Sequence, residues 1–554
     1  MNIKYTHFLI LIGILSYTSR VYSQDLKLEF NSNKKTENIF LSKINYKTKH
    51  KDSVAIFDEI NKVQKIIKLN GYFLSSIDSV LRKNKKYTVY INFQEKVDSV
   101  QLKYTNGPTL ILKKYNFKDK PIKVPINQLK QILTEISKQQ EIKGAAFSKV
   151  QLQNFKIKNK TLFAEIHFTS SKKRTIDKVM FKGYENFPKS FVHNYFNIDS
   201  KTTFNKKKLT EISKLSKALN FASEIKAPET LFTKDSTFVY VYLKKTKGSS
   251  FDGLVNFASQ ETGELQFNGY LDLKLKNIFN KGESFNLLWN RFGNERQEFS
   301  IAAKTPYIFN TKLSTEFSFS IYRQDTTFLS TRLQTNLKYQ IKNNTNLFVT
   351  FLSENSENTA TTIQNNISTY KNYFIGFGYE FKSPKNDVFR NDTFYVNINP
   401  SFGKRSTTNN SFPQIKITTI ISSLLDLNKK TSFFLQNKTG LLKSENYFDN
   451  ELFRIGGSSS IRGFNEQSIF VKNYTLQNIE YRYATSSDSY LYTITDLAII
   501  STNQNKEKLY SLGIGYLFNT NNSQINISTA VGTNTKNPLD FKNTQFFVNW
   551  VNFF

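Results

Sequence analysis

The stretch Leu452-Phe453-Arg454-Ile455-Gly456-Gly457-Ser458-Ser459-Ser460-Ile461-Arg462-Gly463-Phe464 sets the fold of this 554-residue chain. It lies among alternating strands and is not itself a strand. Two adjacent glycines, three serines and a third glycine make a backbone that turns sharply and runs close to a wall. Arg462 stands between Ile461 and Gly463-Phe464, so a loop that folds inward holds a guanidinium at its tip. Where water is scarce, that group needs carboxylate partners. Taken alone, a Gly-Gly-Ser loop is a surface turn, and its surroundings decide the reading.

Outward from the loop the hydropathy period is two. Leu265, Phe267, Gly269, Leu271, Leu273 and Leu275 alternate with polar residues, as do Leu313, Thr315, Phe317, Phe319 and Ile321. Tyr510, Leu512, Ile514, Tyr516 and Phe518 alternate with Ser511, Gly513 and Gly515. An apolar face opposite a polar one, in strands of about ten residues, fits a transmembrane barrel with a wet lumen. A soluble β-sandwich alternates too. Two further features favour the membrane. Residues 1–23 read as a secretory signal peptide: Lys4, the short apolar run Phe8–Leu15, and Val21-Tyr22-Ser23 before Gln24. The end, Gln545–Phe554, is a strand that finishes on aromatics. No later segment is long and apolar enough for a membrane helix, so membrane residence requires strands.

From 250 to 554 we count sixteen strands, with the Arg462 loop between the eleventh and twelfth. Long polar connections (Ser353–Tyr370, Lys404–Ser411, Ser444–Lys472) alternate with short ones (Lys342–Asn344, Asn428–Lys430). That pattern predicts Asn365 outside the cell and Asn343 in the periplasm.

The front half differs. Residues 24–249 hold 45 Lys+Arg and 20 Asp+Glu, a net of +25; residues 250–554 hold 30 and 24, a net of +6. Three stretches there repeat a β-α-α-β-β order. Helical stripes run through Ile56, Ile60, Val63 and Ile67, through Ile126, Leu129, Ile132, Leu133 and Ile136, and through Leu209, Ile212, Leu215, Ala218 and Leu219. Such units present a strand edge that can recruit an extended partner. The expected division is a signal peptide (1–23), three α+β units (24–97, 98–172 and 173–248) and a barrel (249–554). Basic charge with interleaved aromatics suits nucleic acid in general; in an exported protein, anionic lipid or client chains are the expected partners.

There is no cysteine, which excludes disulfides, thiol nucleophiles and cysteine zinc sites. The histidines His7, His50, His167 and His193 are scattered. No nucleophile elbow, His-Glu-x-x-His or phosphate loop is visible, so neither an enzyme nor a cofactor or metal is expected.

On these residues the chain resembles the BamA/TamA superfamily of outer-membrane assembly proteins and two-partner-secretion transporters. The repeated units look like its POTRA domains. Asn277-Ile278-Phe279-Asn280-Lys281-Gly282-Glu283 looks like its barrel entry, with Asn280 where Gly is often found. Gly456 and Gly457 followed by Ile461-Arg462-Gly463-Phe464 match its lumenal-loop motif, and Asn478–Arg482 match the strand after it. The resemblance implies periplasmic POTRA units ahead of an all-β outer-membrane barrel of 16 antiparallel strands. It implies that Arg462 is held by Glu480, which fits by parity, and by Asp496, whose strand matches less well because Ala498 replaces a glycine. It implies a C-terminal assembly signal on Trp550 and Phe554, with Asn552 interrupting the alternation. The implied function is assembly, insertion or translocation of unfolded outer-membrane or secreted clients, with outer-membrane lipids, and periplasmic or inner-membrane accessory proteins, as further partners and no nucleic acid. Secretion of one dedicated partner is the alternative; a passive porin would leave the basic front units unexplained. In the family a weak seam joins the first and last strands, here Phe251–Ser259 and Thr544–Phe554.

Overall fold

The structure is a computed structural model. It describes residues 26–104, 121–259, 265–292, 296–360, 366–385, 389 and 392–554. The expected signal peptide, residues 1–23, and Asn365 lie outside the described residues.

Two compact units divide the chain: one runs to Arg174 and takes in Thr203–Lys206, and the other holds Thr175–Thr202 and Lys207–Phe554. In the first unit, strand β1 (Leu26–Asn31), helix α1 (Lys35–Ser42), strand β2 (Lys49–His50), helix α2 (Ser53–Leu69), and strands β3 (Ser76–Lys83) and β4 (Lys86–Asn92) form one sheet, in the order β2-β1-β4-β3. Asp52 caps α2 by accepting from the Ala55 N–H. The striped residues Ile56, Ile60, Val63 and Ile67 turn inward onto Leu28, Phe30 and Val89. Next come β5 (Ser99–Tyr104), β6 (Ile122–Pro125), α3 (Ile126–Ile142), β7 (Lys149–Lys158) and β8 (Thr161–Thr169), in the order β6-β5-β8-β7. Ile132 and Ile136 are buried in that core with Leu102 and Ile166.

The third sheet belongs to the second unit. It contains β9 (Lys178–Lys182), α4 (Lys189–Asn194), α5 (Lys206–Lys217), β10 (Ala222–Phe232) and β11 (Thr237–Lys245), in the order β10-β11-β9. The strand edges are less open than the repeat pattern predicts. The short strands β2 and β6 cover β1 and β5, and the hairpin edges β3, β7 and β10 each carry a register shift. Such shifts twist an edge away from casual pairing.

Sixteen antiparallel strands close the barrel, from Ser250–Ser259 to Gln545–Phe553. Inward and outward residues alternate. Along Tyr370–Ser383, the residues Tyr373, Ile375, Phe377 and Tyr379 are exposed while Asn372, Phe374 and Glu380 are buried. The connections depart from the expected alternation. The strand Thr345–Asn358 runs well past Ser353, and the Lys404–Ser411 connection shrinks to residues 407–410. At the end where short turns were expected, one strand stops at Ser383 and the next starts at Phe394. Strand hydrogen bonding, which a polar sequence does not forbid, accounts for the first two.

The third sheet meets the barrel turns on its side. Asn343 Nδ2 donates to the Tyr195 carbonyl at 2.8 Å. In the 277–283 turn, Asn280 has a φ of 53°, a left-handed position that asparagine tolerates in place of glycine. Its Oδ1 accepts from Tyr184 at 2.6 Å. In the next turn Tyr307, Phe309 and Asn310 all have positive φ. Tyr307 is buried edge-on to Phe191 at 4.8 Å and donates to Gln340 at 2.8 Å.

Candidate functional site: a lumenal loop fastened at two places

The 444–472 connection folds into the barrel. Glycine makes its path available: φ is 114° at Gly456, 90° at Gly457 and 84° at Gly463. A Cβ on Gly456 would come 2.3 Å from the Asn465 carbonyl oxygen, so the close approach itself demands glycine. Phe453–Ile455 pairs with Ile469–Val471 as a small hairpin. Ser458 N–H and Ser459 Oγ donate to Glu466 across the loop.

At the tip, Arg462 forks onto Asp496, with Nε to Oδ2 at 2.9 Å and Nη2 to Oδ1 at 2.6 Å. Its backbone N–H also reaches Asp496 Oδ2 at 2.9 Å, and Nη1 donates to Glu480 at 2.5 Å. Asn478 Nδ2 donates to Asp496 at 2.7 Å and to the Ser460 carbonyl at 2.9 Å. Arg482 pairs with the other oxygen of Glu480 at 2.7 Å. Asn478, Glu480 and Arg482 lie on one inward face because the strand Asn473–Ala484 alternates. Asp496 comes from the following strand, Ser489–Ser501, directly opposite Asn478. Phe464 and Gly463 press on Gly532 of the fifteenth strand, where a Cβ would meet the Gly463 carbonyl oxygen at 2.8 Å.

The expected wet surroundings are corrected. Asp496 is 0% exposed, and Ile461, Leu476, Ala498 and Leu509, neighbours in sequence or strand of the groups at the tip, are buried in one apolar cluster. With side chains only 11% and 0% exposed, Arg462 and Asp496 follow the energetics of a buried pair rather than those of an exposed one.

The sequence reading missed a second fastening, at the root of the loop. Arg405 and Glu451 meet at 2.5 Å with side chains 0% and 1% exposed. Gln414 Nε2 and the Phe448 N–H donate to the same carboxylate at 3.0 Å each, and the Arg405 guanidinium lies 4.0 Å over the Phe448 ring. Alongside, Asn450 donates to Ser356 Oγ at 2.8 Å and accepts at its carbonyl from Tyr370. Arg454 stacks 3.5 Å over Tyr322. Further along the wall, Glu354 takes Lys416 and Arg332, while Lys338 bridges Glu316 and Glu380. Strand parity places these groups inward, but which acid meets which base depends on barrel shear.

The seam is short. Among the described residues the first and last strands pair at Ser250–Phe553 and Phe251–Asn552, with Phe554 N–H donating to the Ser249 carbonyl at 2.9 Å. The first strand pairs with the second over its whole length, Ser250–Ser259. Above the last backbone pair, Asn549 Nδ2 reaches Asp252 at 3.3 Å. Trp550 and Phe554 are exposed on the outer face with Phe546 and Val548; Asn552 sits in that row and accepts from Ser523 Oγ. Among the described residues no group of His, Asp and Glu could hold a metal ion.

No family model and no curated protein matches the sequence. Solved structures do. CdiB from Acinetobacter baumannii is similar with a TM-score of 0.51 at 13% identity, over 91% of this chain and 98% of that one. CdiB from Escherichia coli gives 0.51 at 12% identity, over 89% and 97%. A BamA from Haemophilus ducreyi lacking POTRA domains 1-3 gives 0.48 at 13%, over 82% and 99%. The chain shares the fold of the CdiB structures over 89–91% of its length.

Proposed function

We propose that this chain is an outer-membrane barrel that captures unfolded client proteins with periplasmic POTRA sheets and helps them into or across the membrane, with insertion as its main task. The seam carries the reading. A route through the lumen requires moving a loop fastened by two buried ion-pair clusters, and breaking one buried pair costs about 3–5 kcal/mol. A route through the wall requires parting two backbone pairs, the Phe554–Ser249 hydrogen bond and the Asn549–Asp252 contact, each hydrogen bond worth about 0.5–1.5 kcal/mol net in water and more in lipid. The seam is the weaker of the two. The first α+β sheets fit client capture through lysine-rich faces more readily than through their covered or shifted edges. Among the described residues there are three such sheets, and that number favours assembly over secretion of one dedicated partner.

The absence of cysteine makes the test clean. Ser250→Cys with Phe553→Cys places a disulfide across the seam. Oxidation should stop client assembly and reduction should restore it. Undiminished assembly by the oxidised protein would rule out the wall as the route and leave a passage through the lumen.

A further inference from the structure

The outer face of the barrel is charged at one end and aromatic at the other. Arg323, Lys371, Lys404, Lys443 and Lys508 are exposed near the strand ends remote from the third sheet. Residues directly opposite on antiparallel strands share a face. Lys404 is opposite Tyr373, Lys443 opposite Ile415 and Lys508 opposite Ile499, and both Tyr373 and Ile499 are exposed apolar residues. Lys404 Nζ lies 5.5 Å over the Tyr373 ring. By the period of two, Arg323 continues the run of Phe317, Phe319 and Ile321, and Lys371 that of Tyr373, Ile375 and Phe377. Glu357, opposite Leu329, is an acid at the same level. At the other end the exposed outward positions include Tyr339, Tyr379, Phe394, Tyr481 and Trp550, with Lys342 at a register shift beside its turn.

The spacing of the two rows matters. Lys404 and Phe394 are ten residues apart on one strand (404 − 394). That is ~34 Å along the strand at ~3.4 Å per residue, or ~26 Å of height at a ~40° tilt, against an apolar band of ~25 Å. The cations therefore stand one band-height from the aromatic row, where headgroups lie. Long Lys and Arg stems lie along apolar surface while their heads reach polar groups, and phosphate oxygens are strong acceptors for both.

We propose that this basic row docks the phosphate groups of anionic lipids in the leaflet at that end of the barrel. The proposal rests on the membrane reading given above. It is tested by reconstituting the full-length protein into phosphatidylcholine vesicles containing a minor fraction of either phosphatidic acid or its uncharged counterpart diacylglycerol. Lipid retained after extraction is then measured by native mass spectrometry. The wild type should retain phosphatidic acid over diacylglycerol, and the variant R323Q/K371Q/K404Q/K443Q/K508Q should retain about tenfold less phosphatidic acid. Equal retention by wild type and variant overturns the proposal. Should the variant not fold, the wild type decides alone: equal retention of the two lipids overturns it. A wild-type chain that gives no heat-modifiable folded form in phosphatidylcholine alone overturns the membrane reading as well, which separates the two failures.

Discussion

In the amino-terminal unit the buried side chains are mostly apolar, among them Ile56, Ile60, Val63, Ile67, Leu102, Ile132 and Ile136, while Lys62, Lys65, Lys130 and Lys138 lie outside. In the barrel the arrangement is reversed. Arg405, Glu451, Asp496, Glu380 and Lys416 are buried, and Phe377, Ile499 and Trp550 are exposed. The same twenty side chains are sorted against opposite surroundings, so the same substitution has opposite consequences in the two regions. Removing a charge should matter inside the barrel and hardly matter on the sheets; adding one should matter on the barrel's outer face.

The largest effect is expected at the loop tip. Arg462→Ala leaves Asp496 buried with Asn478 as its remaining side-chain partner, at a cost of about 3–5 kcal/mol. The urea midpoint of the folded, heat-modifiable band should fall accordingly, and client assembly should stop. Arg462→Lys should recover little, because an ammonium cannot reproduce the fork onto Asp496. A midpoint unchanged by Arg462→Ala would mean that the pair behaves as if in water, and the contrast between the regions would weaken.

Next comes the sheet core. Ile136→Ala removes a fully buried side chain from α3 and should cost about 2–5 kcal/mol. Hydrogen exchange should quicken across 126–142 while the barrel band keeps its midpoint. A drop in barrel stability instead would break the claim that the two units bury their cores separately.

Phe377→Arg tests the outer face itself. Phe377 is 64% exposed and central in its strand. Arginine at the midplane of a lipid-facing wall costs about 2–4 kcal/mol. Urea titration in vesicles should show that loss. A neutral outcome would indicate a water-facing sheet.

The smallest effect is a pH dependence. Burial pushes the Glu59 carboxyl up, but the hydrogen bonds from Lys62 and from the Lys47 N–H outweigh it and hold it below the ordinary range. A depressed folded value gives stability that is present above the unfolded pKa of ~4.3 and is lost as pH falls through the folded one. Glu59→Gln should flatten the acid limb of the α2 unfolding curve, read by hydrogen exchange, and leave neutral pH nearly unchanged. An acid limb as steep as that of the wild type would assign the slope to other carboxylates.

Much of this was legible because it is periodic. The period of two in Leu313–Ile321 and the stripe of Ile56, Ile60, Val63 and Ile67 both report one face in one medium, and the strand number followed from them. Gly456, Gly457 and Gly463 were legible because positive φ leaves few choices. Arg405 and Glu451 were not, although both are buried. They lie 46 positions apart, and their meeting depends on the stagger of the wall and on the loop's descent, which no local pattern records. The short strands β2 and β6 were missed for a related reason: two or four residues carry too little periodicity to announce a strand, yet they change which edges are open.

The turn holding Tyr307 has a consequence for the order of folding. Left-handed backbone at a non-glycine costs of order 1–3 kcal/mol, and this turn adopts it at Tyr307, Phe309 and Asn310. Tyr307 of this turn packs edge-on against Phe191, on α4 of the third sheet. The third sheet precedes the barrel in the chain and so leaves the ribosome first. It is therefore available as a template before the turn has anything to close. A barrel refolded without residues 175–248 should find this turn late or in another shape, although each of its sixteen strands would be intact.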